Sequence, residues 1–202
     1  MGDDPRLRRY AWQLEFRLQP YPARYLSYVY HAWDNLPGIQ IAGLNRLRVH
    51  LGTVGDSTDV PYADAHALVE AVTERMRSIE QADVDVSGIV HRNGRLVLQV
   101  RDSALLDTIA DVIRSCADAI PGLRPDMATD RHCLLALVDT DEAAARALDA
   151  LTEANLRDQV EQVHVRQITH VLLNDVTFTM PIWTHLDQVR LADTADSTQV
   201  AG

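Results

Sequence analysis

Basic side chains recur at every second position in Arg46-Leu47-Arg48-Val49-His50-Leu51-Gly52-Thr53. That alternation is the mark of a strand with one buried face, so Leu47, Val49 and Leu51 point one way and Arg46, Arg48 and His50 the other. Two guanidinium groups and an imidazole on one face suit an anion. A second histidine strand, from Asp130 to Val138, carries His132, 82 positions after His50. Two histidines facing one groove suit in-line displacement at a phosphodiester. One neutral imidazole takes the proton of the attacking hydroxyl or water, and one protonated imidazole hands a proton to the leaving oxygen. An unperturbed pKa of about 6.5 lets both forms coexist near neutrality. Arginines or hydroxyls then hold the non-bridging oxygens, and a hydroxyl two residues after a strand histidine shares its face.

The elements that must position these groups follow from periodicity and punctuation. Residues 10–18 read as a first strand, and Leu26, Val29, Tyr30, Trp33 and Leu36 as one face of a helix closed by Pro37-Gly38. A short run at Ile39–Ile41 leads into the His50 strand, and residues 54–59 read as a polar loop. A helix from Pro61 to about Ala82 carries an apolar stripe of Ala65, Leu68, Val69, Val72, Met76 and Ile79. A hairpin turns at Asn93-Gly94, and Ser103 is the expected N-cap of the next helix. After the His132 strand, Asp139 with Glu142 reads as a capping arrangement for an alanine-rich helix to Glu153, followed by a short helical piece to Gln159. Val163–Leu173 reads as one long strand and Thr184–Leu191 as the last. Hairpins and adjacent strands dominate, which predicts an α+β fold with mostly antiparallel sheets. A helix-strand-histidine unit in each half hints at duplication.

Composition excludes several classes. The 202 residues are 47% hydrophobic and 24% charged, enough to bury a real core. A net charge of -10 argues against nonspecific binding to duplex nucleic acid or an anionic membrane. All 19 basic residues are arginines, so lysine Schiff-base chemistry and a P-loop are absent. Cys116 and Cys133 are too few for a disulfide framework and lack zinc-ligand spacing. The charged start and the lack of any membrane-length apolar run lead to the expectation of a soluble, cytoplasmic protein.

From the Trp12 strand to the Trp183 segment, the element order and the two separated histidine strands resemble the 2H phosphoesterase superfamily, which includes RNA 2′,3′-cyclic phosphodiesterases and 2′-5′ RNA ligase-like proteins. The resemblance implies a bilobal α+β domain over residues 1–192, with two mostly antiparallel sheets, helices on their outer faces and a central groove. Residues 193–202 are expected to form a frayed tail. It also implies a metal-independent phosphodiesterase without cofactor, acting on a 2′,3′-cyclic phosphate, a cyclic (oligo)nucleotide or a 2′-5′ linkage. Its partner would be an RNA end, a cyclic nucleotide or another phosphorylated small molecule. His50 and His132 would be catalytic, with Arg46, Arg48, Thr53 and Arg166 on the phosphate or substrate.

The chain departs from the family's His-x-Thr/Ser pattern in both motifs. Thr53 comes one position late after His50, which a bulge at Gly52 would correct. Leu134 stands where the second hydroxyl belongs, and Cys133 should point away from His132 into the core. His164, Arg166 and His170 share a strand face that either lines the groove or forms a solvated edge. Trp12, Trp33 and Trp183 read as core or groove-wall residues. Three classes of function follow: the phosphodiesterase, a catalytically degenerate relative that binds a nucleotide or phosphorylated ligand, and an interaction module with an incidental groove.

Overall fold

The computed structural model describes residues 8–15, 20–44, 47–174 and 182–193. The elements run β1 (Arg8–Glu15), α1 (Pro20–Trp33), β2 (Ile39–Ile41), β3 (Arg48–Asp56), α2 (Tyr62–Met76), β4 (Ala82–Arg92), β5 (Arg95–Val100), α3 (Ala104–Ala117), β6 (Asp126–Met127), β7 (His132–Val138), α4 (Asp141–Glu153), β8 (Val160–Val165), β9 (Gln167–Asn174) and β10 (Ile182–Arg190). All named pairings are antiparallel, and the eight principal strands follow the order β10-β9-β1-β3-β7-β5-β4-β8. The sheet curls into a half-barrel, with β6 added to β3 and β2 added to β7.

Two four-stranded halves meet where β3 lies against β7 at a single register pair, Val49 opposite Cys133, and β2 on β7 and β6 on β3 extend the seam. The two lobes therefore share one continuous sheet. On its helix-covered face runs a cross-strand row of Val189, Ile168, Leu14, Val49, Cys133, Leu98 and Ile89, all fully or almost fully buried. Burying such side chains contributes about 1.5–3 kcal/mol each, so this row fixes both register and face. α1 is tied to the opposite half of the chain by two polar contacts. Trp33 donates its indole N–H to the Ala147 carbonyl at 3.1 Å, and the Tyr25 hydroxyl reaches the Leu156 carbonyl at 3.0 Å.

Several boundaries differ from the sequence reading. β3 runs to Asp56, through what reads as a polar loop, because β1 extends far enough to pair Arg9 with Asp56. α2 stops at Met76 rather than near Ala82, which instead opens β4. The cap of α4 is Thr140, not Asp139: its hydroxyl accepts from the Ala143 N–H at 3.1 Å. After Glu153 the chain turns at Asn155 (φ 57°) and forms no second helix. The Val163–Leu173 segment is two strands broken at Arg166, since β8 pairs with β4 while β9 pairs with β1 in the other half. Ser103 occupies the N-cap position of α3 without a side-chain capping bond. Most of the expected tail lies outside the described residues.

Candidate functional site

In an antiparallel pair, directly opposed residues share a face, and stepping one way on one strand means stepping the other way on its partner. One step from the Val49–Cys133 pair therefore brings His50 against His132, on the face away from the helices. Directly opposed side chains have Cβ atoms about 4.5–5.5 Å apart. The backbone register thus sets His50 and His132, 82 residues apart in the chain, at opposed positions on adjacent strands.

The first histidine is set by a bulge. β1 meets His50 with Gln13 and Gly52 with Trp12, so Leu51 is the extra residue and the side chains beyond it change face. This returns Thr53 to the His50 side, where its hydroxyl lies 3.2 Å from His50 Nε2. Glycine is required at 52 by β6. A Cβ there would lie 2.6 Å from Met127 Sδ and 2.9 Å from the Asp126 carbonyl. Arg48 shares the His50 face, donates to the Leu47 carbonyl at 2.9 Å, and lies over the Trp183 ring at 5.0 Å. Cation–π contact holds the guanidinium at the groove.

His132 is half-buried, with Nδ1 3.2 Å from the Asp130 carbonyl. A carbonyl only accepts, so Nδ1 carries the proton and Nε2 is the basic nitrogen of the neutral ring. The Asp130 carboxylate stands 4.0 Å from the same nitrogen and pairs with Arg92. Burial, followed by the charges of Arg92 and Arg95, lowers the His132 pKa below its usual value. Cys133 is fully buried on the helix side, and burial pushes its thiol up to about 12, which makes it inert as a nucleophile.

A cross-strand line of polar side chains passes through the two histidines. Gln188 pairs with Thr169, Thr169 with Gln13, Gln13 with His50, His132 with Gln99, and Gln99 with Ser87. Gln13 and Gln99, which flank the histidines directly, carried no signal in the sequence beyond ordinary strand alternation.

β3 and β7 match at a shift of 84 positions, Val49 to Cys133: both alternate half-buried and buried residues in the same order, and both carry a bulge, at Leu51 and Leu135. The same shift sets Arg48 on His132 and His50 on Leu134. The two histidines are thus cross-strand neighbours rather than equivalent residues of a repeat, and Leu134 has no hydroxyl to offer.

The other candidates fall elsewhere. Arg46 lies outside the described residues. Arg166 is exposed at the β8–β9 break and lines a depression with Gln81, Gln167, Arg190, Leu191 and Asp193, which includes neither histidine. The supposed common face of His164, Arg166 and His170 does not exist. His164 is pinned between Asp83 at 2.7 Å and Gln81 at 3.2 Å, and His170 is buried on the helix side against Tyr10 and Trp12. Trp12 and Trp33 are core residues, whereas Trp183 is the half-buried partner of Arg48.

No protein-family model and no curated protein matches the sequence. Solved structures do. TT0787 of Thermus thermophilus superimposes with a TM-score of 0.63 at 14% identity, over 92% of this chain and 98% of that one. Apo LigT of E. coli gives 0.59 at 14% identity, with the same coverage. The MHV ns2 PDE domain gives 0.55 at 10% identity, over 89% of this chain and 99% of that one. The chain has the 2H phosphoesterase fold. Within that fold the His50–His132 pair occupies the seam between the halves. Among the described residues no helix is long and apolar enough to cross a membrane, and no three His, Cys, Asp or Glu side chains are grouped to hold a metal.

Proposed function

We propose that this 2H-fold protein is a metal-independent phosphodiesterase acting on a 2′,3′-cyclic phosphate, a cyclic (oligo)nucleotide or a 2′-5′ linkage. The observation that carries the reading is the cross-strand adjacency of His50 and His132 on the open face of the sheet. His132 is the base, because its proton sits on Nδ1 toward Asp130 and its lowered pKa leaves Nε2 unprotonated near neutrality. The attacking hydroxyl or water gives its proton to that nitrogen, and His50 protonates the leaving oxygen. Arg48 and Thr53 hold the non-bridging oxygens. The ligands of E. coli LigT, crystallised with phosphate, 3′-AMP and ATP, agree with a phosphorylated ligand for the shared fold.

Leu134, standing without a hydroxyl on the His132 face, favours a second reading in which the groove binds the phosphorylated ligand without turning it over. Hydrolysis of 2′,3′-cyclic AMP and of a 2′-5′ dinucleoside monophosphate, assayed with and without a chelator, separates the two. Chelator-resistant cleavage that disappears in the His50→Ala, His132→Ala double variant is expected. Equal turnover by wild type and double variant removes the enzyme reading; binding without cleavage, weakened by Arg48→Ala, establishes the second.

A further inference from the structure

His132 Nδ1 has two acceptors close to it, both belonging to Asp130. The main-chain carbonyl lies 3.2 Å away and the carboxylate Oδ2 4.0 Å away, so only the first is hydrogen-bonded. The choice matters, because the two acceptors favour different rings. A carbonyl is satisfied by the neutral imidazole, whereas a carboxylate on the same nitrogen stabilises the imidazolium. An imidazolium has no lone pair with which to take a proton.

The carboxylate is engaged elsewhere, by an arginine far off in the sequence. Arg92 closes β4 at the Asn93-Gly94 turn and pairs with the Asp130 carboxylate through Nη1. Register puts it on the histidine face. Val90 opposes Val97, and Val97 opposes Leu134, two positions from His132; Arg92 is two positions from Val90. Arg95 opposes Arg92 across the hairpin and shares that face. The row of Val90, Val97 and Leu134 between them and His132 is apolar, a surface for the arginine stems. Asp130 sits in a bend ahead of β7, and the ion pair ties that bend to the hairpin. With side chains 35% and 58% exposed, the pair contributes little to stability. Its effect lies in where it holds the carboxylate.

The charged and titratable groups facing His132 are Asp130 from its own segment, Arg92 and Arg95 from β4 and β5, and His50 with Arg48 from β3. Of these, the Asp130 carboxylate alone favours the imidazolium. We propose that Arg92 is a positioning residue for His132: it holds the Asp130 carboxylate, leaves the Asp130 carbonyl as the acceptor of Nδ1–H, and so keeps the ring a neutral base with Nε2 available for proton transfer. The assignment rests on the reading of His132 as the base. It adds a residue that looks, in the sequence, like an ordinary polar position before a hairpin turn.

The test reads His132 directly. The ring is titrated by NMR in the unreacted protein, with its signals assigned against His132→Ala, and hydrolysis of 2′,3′-cyclic AMP is followed over the same pH range. Arg92→Leu removes a positive charge and releases the carboxylate, so the titration should move to higher pH. Turnover should then fall about 3- to 10-fold at pH 6 and less than about 2-fold at pH 8. Asp130→Asn, which keeps the carbonyl, should move the titration to lower pH, and the Arg92→Leu, Asp130→Asn double variant should return it close to the wild-type position. An unmoved titration in Arg92→Leu overturns the proposal, whatever happens to the melting temperature. So does a rise that persists in the double variant, since Asp130 would then not carry it. Should Arg92→Leu not fold, Asp130→Asn decides alone: a downward move supports the proposal and no move overturns it. Titrations that move as expected in a protein that cleaves nothing overturn the phosphodiesterase and leave the Arg92–Asp130–His132 arrangement standing.

Discussion

Two rows of side chains cross the sheet side by side and have opposite chemistry. One runs Val189, Ile168, Leu14, Val49, Cys133, Leu98, Ile89; the other runs Gln188, Thr169, Gln13, His50, His132, Gln99, Ser87. On six of the seven strands the rows are one residue apart, and on β4, where Gly88 (φ 71°) makes room for a bulge, they are two apart. The apolar row packs under the helices and contributes stability. The polar row gains little from burial and loses where its acceptors go unpaired. The difference separates what holds the fold from what the proposed site would use.

The comparison breaks most visibly at His132. Replacing it with alanine is expected to lower turnover by about 10²–10⁴-fold, or about 3–5 kcal/mol of barrier, while the melting temperature barely moves. A loss of both together would place His132 among the stabilising residues. The mirror experiment is Leu98→Ala in the apolar row, expected to cost about 2–5 kcal/mol by chemical denaturation with turnover per folded molecule retained.

His170 tests the boundary between the faces, since it is a titratable group on the apolar side. Burial, partly offset by Asp187 and reinforced by His66, pushes its pKa from 6.5 down to about 4. Its neutral form is the one the fold favours, so its contribution is full above pH 6.5 and is lost as pH falls toward about 4. That fall corresponds to about 3 kcal/mol. His170→Phe, which keeps the packing on Tyr10 and Trp12, is expected to flatten the acid limb of the stability curve. An unaltered limb would mean that other groups govern it. The smallest effect belongs to Gly52→Ala, about 1–3 kcal/mol of overpacking against Met127 and Asp126. A parallel decline in turnover would show that the Leu51 bulge, through Thr53, tunes His50; unchanged turnover would free Thr53 of that role.

Much of the fold was legible because alternation and turn signals are local. His50 and His132 advertise themselves by their neighbours on their own strands. What stayed hidden depends on register. Gln13 and Gln99 look like any polar position of an amphipathic strand until pairing sets them beside the histidines. The break at Arg166 has no glycine or proline to announce it; it exists because β8 and β9 find partners in different halves. The exchange of Thr140 for Asp139 turned on a single position among three adjacent cap-forming residues. The matching bulges at Leu51 and Leu135 stayed hidden for the same reason, since a bulge appears only when two strands are compared.

The halves join along a segmented waist, in which β2 pairs with β7, Val49 with Cys133 and β6 with β3, in place of one continuous ladder between two long strands. A phosphate held between His50 and His132, as proposed, would act as a rivet. Occupancy should therefore stiffen the whole molecule, and amide exchange along β3 and β7 should slow more than exchange at the outer strands.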